Sequence, residues 1–135
     1  MAGIRKSQRR RRTRGTTLVE AAIVLQILVL ITLGAIEYGW LFLTMERITN
    51  AARHGARIEA AKGVPDTAGD DAIADLFAGD PTFLGKLTYS VTNDGTYVTA
   101  TVSVTTNDVR LLNLPALLPA PPTLIAVVKM AKERG

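Results

Sequence analysis

Apolar residues follow three different rhythms along this chain. From Leu18 to Met45 they form an almost continuous run, about 28 residues, with no charge between Ala21 and Ile36. A helix needs only ~20 such residues to span a bilayer. From Met45 to Ala61 the run thins to helical spacing. Met45, Ile48, Ala52 and Gly55 share one side, and Glu46, Arg47, Arg53, Arg57 and Glu59 take other positions. No proline interrupts Thr17–Ala61, so the two stretches read as one helix. At ~1.5 Å per residue its length is about 65–70 Å. Beyond Leu87 the period falls to two. Leu87, Tyr89 and Val91 alternate with Thr88 and Ser90, and Val98, Ala100, Val102 and Val104 alternate with threonines and Ser103.

The two alternating runs flank Asn93-Asp94-Gly95, which predicts an antiparallel hairpin with its valines facing a core. Thr123–Met130 can add a third strand, with Leu124, Ala126, Val128 and Met130 on one face. The helix-forming Ala131-Lys132-Glu133 keeps a helical reading open there. Gly63 and Pro65 end the long helix. Asp70–Ala78 predicts a short helix with Ile73, Leu76 and Phe77 on one side, closed by Gly79-Asp80-Pro81. Leu111–Pro122 reads as a loop. A two-stranded hairpin is marginal alone. The third strand, the short helix and the apolar face of the long helix can close a small core over it. The predicted fold is α+β in three parts: a basic leader (1–15), a transmembrane and projecting helix (16–61), and a small domain (62–135) with a short helix and a two- to three-stranded antiparallel sheet.

Charge sharpens this picture. Residues 1–14 hold seven arginines and lysines and no acid, while the rest carries nine basic and twelve acidic residues. The leader reads as cytoplasmic and without regular structure. Its arginines abut an apolar run and contain no aromatic residue, which fits a positive-inside flank and argues against a nucleic-acid partner. The N-terminus is therefore expected inside and the body extracytoplasmic. A secretory signal peptide is the competing reading. The length of the apolar run, the carboxylate near its start and the missing small-x-small cleavage site oppose it. The absence of cysteine excludes disulfides and thiolate metal sites.

Chemistry-bearing residues are sparse. His54 is the only histidine and reads as solvated. Asp66, Asp70, Asp71 and Asp75 lack calcium-loop spacing and suit a helix start. No nucleophile–base set, phosphate loop or catalytic carboxylate pair stands out, so neither a catalytic residue, a metal site nor a cofactor is assigned. Small residues recur four apart (Ala35/Gly39, Ala51/Gly55, Ala52/Ala56), which suits close helix packing but is also common in membrane helices. The informative acids are Glu20 and Glu37, flanking the apolar core, where an ionised side chain is expensive. A cut after Gly15 would make Thr16 the new terminus and Glu20 its fifth residue. The carboxylate then lies one turn from an α-ammonium, its own or a neighbour's. Otherwise Glu20 is a charge that snorkels to the headgroups.

Arg14-Gly15-Thr16-Thr17-Leu18-Val19-Glu20 resembles the processing site of a type IV prepilin. With Glu37-Tyr38-Gly39 and Asn50-Ala51-Ala52-Arg53-His54-Gly55-Ala56-Arg57, roughly residues 10–60 resemble the TadE-like pseudopilins of the tight-adherence (Tad) pilus system. The resemblance implies a minor pseudopilin of a bacterial inner membrane, cleaved between Gly15 and Thr16 by a prepilin peptidase. Its implied partners are other pilins and the pilus assembly platform. Two positions depart from the family pattern: Ala21 where an aromatic residue often follows the glutamate, and Gln26 near a frequent proline. The second predicts a straighter helix. The alternative is an uncleaved single-pass protein that scaffolds envelope or secretion components.

Overall fold

Alanine, leucine and arginine lose little on entering a helix, and no proline falls between Gln8 and Ala60. The structure, a computed structural model, describes residues 8–61, 63–112 and 119–133, and for 8–14 the backbone alone. Helix α1 runs Gln8–Ala60 without a break through Gln26. It starts earlier than the sequence predicts, so residues 8–14 of the leader are helical, not irregular. Extending a formed helix is far cheaper than nucleating one, and arginine is a good helix former. The chain divides into two units, Met1–Ile36 and Glu37–Gly135.

In the first unit α1 exposes its apolar side chains on every side. Leu18, Val24, Ile27 and Ile31 are all more than half exposed. This stretch belongs to the one helix, among the described residues, that is long and apolar enough to cross a membrane. A helix apolar all round is at home in lipid, where its backbone is satisfied internally.

The second unit is α+β. Three antiparallel strands, β1 (Leu87–Asn93), β2 (Tyr97–Thr105) and β3 (Thr123–Ala131), form a sheet in that order. The expected hairpin has Leu87 opposite Val104, Tyr89 opposite Val102 and Asn93 opposite Val98. Gly95 adopts φ +86°, and the Asn93 and Asp94 side chains accept the N–H groups of the turn. β3 resolves the open choice at the C-terminus in favour of a strand, with Ala126 opposite Val102. The inward face of the sheet and the buried face of α1 (Leu41, Ile48, Ala51, Ala52, Ala56) belong to one hydrophobic core.

Three short helices complete the unit. α2 (Ala68–Leu76) contributes Ile73, with Phe77 just beyond it. It starts and ends two residues earlier than predicted. α3 (Pro81–Leu84) begins where the sequence marked only a stop. Asp80 caps it by accepting the Phe83 N–H at 3.1 Å, and Pro81 suits the first turn. α4 (Thr106–Val109), which no periodicity announced, follows β2 directly. Part of the leucine- and proline-rich connection, residues 113–118, lies outside the described residues.

Candidate functional site

The predicted processing segment lies in the first unit. Gly15, Thr16 and Glu20 are exposed within α1. A Cβ placed on Gly15 would meet nothing within 4 Å. Thr16 and Glu20 stand four apart in the helix, so they share a face one turn from each other.

The remaining motif residues lie in the second unit, and the structure separates them by direction. In the Asn50–Arg57 motif, Ala51, Ala52, Gly55 and Ala56 point inward and are buried, while Asn50, Arg53, His54 and Arg57 are exposed. The small residues do permit close packing, but to α2 of the same chain. A Cβ on Gly55 would lie 2.6 Å from Ile73 Cδ1 and 3.0 Å from the Gly69 carbonyl. Gly69 in turn leaves 2.8 Å between its own missing Cβ and the Gly55 carbonyl. Both helices thus approach on glycine. Glu59, expected outside, is buried at this contact, where Oε2 accepts the Gly69 N–H at 2.9 Å. That bond satisfies one orphan donor at the start of α2. The motif therefore builds a packing surface, and Gly39, by contrast, faces open space.

Glu37 is fully buried. Its Oε2 accepts the Leu112 N–H at 2.9 Å, and its Oε1 lies 3.9 Å from Arg110 Nη1, whose side chain is 3% exposed. Two aromatic neighbours grip the same connection. The Tyr38 hydroxyl donates to the Pro119 carbonyl at 2.6 Å, and Trp40 Nε1–H donates to the Val109 carbonyl at 2.8 Å. Thr106 closes the connection on itself through the Pro121 and Pro122 carbonyls. One turn of α1 thus holds the segment that joins β2 to β3.

Arg110 was not singled out from sequence, although it is the only charge between Val109 and Val128. A lone cation among leucines is a signal for a buried partner, since an unpaired buried charge is prohibitive. Above it, Trp40, Thr44, Arg47, Asp80, Phe83 and Lys86 line part of an open cleft of about 280 Å³. Arg47 stacks 4.7 Å over Phe83 and sits 3.9 Å from Asp80 Oδ2. Lys86 Nζ donates to the Asp108 carbonyl. These cations are held by local partners. The acids around α2 are spread between tasks. Asp70 Oδ1 accepts the Val91 N–H, and Asp66 Oδ1 accepts from Asn93. Among the described residues no three His, Asp or Glu side chains converge on one point.

The family model described as TadE-like protein matches residues 15–57. No curated protein and no solved structure matches the chain. The matched stretch starts at Gly15 and ends at Arg57, so it contains Glu20, Glu37-Tyr38-Gly39 and the packing motif. Residues 15–57, about a third of the chain, are thus similar to TadE-like proteins.

Proposed function

We propose that this TadE-like chain is a minor pseudopilin-like component of a Tad-type pilus system, released from its leader by a prepilin peptidase cutting between Gly15 and Thr16. One observation carries the reading. The family match begins at Gly15, the residue that ends the arginine cluster and stands five before Glu20. Glycine presents no side chain to a peptidase and is a poor helix former, which favours local unwinding of α1 at the cut. Cleavage removes the basic block and leaves a chain that begins inside the apolar helix. Its new ammonium then has Glu20 one turn away, or that of a neighbouring subunit, in surroundings where an unpaired charge is costly. The structural partners are other pilins and the assembly platform, with the N-terminus cytoplasmic and the folded unit outside the inner membrane. The role is assembly, with no catalysis assigned to any residue.

The test is the intact mass of the chain recovered from its native membranes. The expected species is 16–135, and Gly15→Leu is expected to retain the leader. A wild-type chain that keeps residues 1–15 would establish the uncleaved single-pass alternative.

A further inference from the structure

The foot of the compact unit, around Glu37–Leu43 of α1 and Val109–Leu112, carries a surface that the packing motif leaves uncovered. Along the outward face of α1 the character changes within one turn. Tyr38, Phe42 and Leu43 are exposed, and Phe42 is 67% exposed. From Glu46 onward the exposed positions are Glu46, Asn50, Arg53, His54 and Arg57. Twenty residues counted from Leu18 end at Glu37, and ~20 suffice for the hydrocarbon core. Counted to Met45, the apolar stretch rises about 42 Å, within the ~40–45 Å of a bilayer with its headgroups. The apolar-to-polar change on α1 therefore falls where a membrane would end.

The connection from β2 is pinned at this same level. Trp40 holds Val109, and Glu37 holds Leu112. Leu111, between them, is 51% exposed. Glu37, on the same turn of α1, is withdrawn from the surface and faces Arg110. Tyrosine and tryptophan with bonded polar tips suit the boundary between lipid and water.

We propose that this foot is seated in the headgroup zone of the bilayer that α1 crosses, with lipid covering Tyr38, Phe42, Leu43 and Leu111. Leu111 is the decisive residue, because it lies outside α1 and the passage of the helix does not by itself bring it to lipid. The seating fixes the depth of the folded unit on the membrane. It rests on the membrane-span reading of α1 and is independent of leader cleavage and of entry into a filament.

The chain has no cysteine and one tryptophan, which makes the test clean. Leu111→Cys and Val127→Cys are labelled with an environment-sensitive fluorophore. Val127 is an exposed apolar residue of the sheet, away from the foot. The full chains are reconstituted at low density in phosphatidylcholine vesicles with or without brominated acyl chains. Brominated lipid should quench the Leu111 label several-fold more than the Val127 label, and aqueous iodide should do the reverse. Equal behaviour of the two labels would overturn the proposal. So would a Leu111 label shielded from iodide yet untouched by brominated lipid, since protein would then be its cover. In the unmodified chain, Trp40 should be quenched more by bromines near the headgroups than by bromines near the chain ends. The opposite order would refute the seating even if a labelled variant misfolded.

Discussion

Glu20 and Glu37 are the same side chain on the same helix, at either end of one apolar run, and the protein treats them in opposite ways. Glu20 is exposed on a stretch of α1 most of whose leucines and isoleucines are exposed too. Glu37 is fully buried, with a backbone donor and an arginine arranged around it. The difference lies in what each half of α1 is given to pack against. From Leu18 to Ile36 the helix is almost wholly apolar, and among the described residues no other element of its unit lies beside it. From Glu37 onward it presents one face of small and aliphatic residues to a sheet and to α2. The carboxylate in the first half is left exposed by its unit, whereas the one in the second half is satisfied by the fold.

The sharpest way to break this contrast is to remove each carboxylate. Glu37→Ala removes the carboxylate that faces the buried Arg110 guanidinium, and breaking a buried pair costs about 3–5 kcal/mol. Thermal unfolding of the full chain in detergent, followed by Trp40 fluorescence, should show a large loss for Glu37→Ala and none for Glu20→Ala. Replacing both partners, Glu37→Leu with Arg110→Met, should restore most of the stability, because a buried pair exchanged for apolar residues is often neutral. On the function proposed above, Glu20→Ala should instead reduce co-purification with other pilins while leaving the position of the N-terminal cut unchanged. Equal unfolding curves for the two alanine variants would erase the distinction.

Glycine gives a second, smaller contrast. Gly55→Val must displace Ile73 and meets the Gly69 carbonyl, so about 1–3 kcal/mol should be lost. Gly39→Ala meets nothing within 4 Å and should gain up to ~1 kcal/mol of helix propensity. The same unfolding assay reads both, and a neutral Gly55→Val would mean that α1 and α2 are less closely apposed.

The smallest effect concerns the hairpin tip. Asp94 accepts the N–H groups of Tyr97 and Thr96, and these bonds, the first foremost, hold its carboxyl below its ordinary 3.8. A depressed folded value means the stabilisation is complete above the ordinary pKa and is lost as pH falls through the lowered one. The Thr96 and Tyr97 amides should therefore lose protection, measured against their intrinsic exchange rates, as pH falls from about 3.8 through that lowered value. Asp94→Asn should abolish this pH dependence.

Periodicity and turn chemistry carried much of this protein. Asn93-Asp94-Gly95 between two alternating runs announced the hairpin and its register, because a slip of one residue would turn every valine outward. The long uncharged run announced a helix long and apolar enough to cross a membrane, and Gly15 with Glu20 lies in the segment that the family model matches. These are local properties, set by spacing along one element. The partners of buried polar groups are not local. Glu59 looked like a surface charge until α2 folded back to offer the Gly69 N–H. Arg110 lies 73 positions from Glu37, and neither its burial nor its pairing follows from its neighbours. The small residues at 51, 52, 55 and 56 were readable as a packing face, but whether a second copy or α2 would occupy it depended on where the chain returned. Composition settles what must be covered. What covers it depends on where distant segments of the chain return, and here α2 meets α1 at Gly55 and Glu59 while the β2–β3 connection meets it at Glu37, Tyr38 and Trp40.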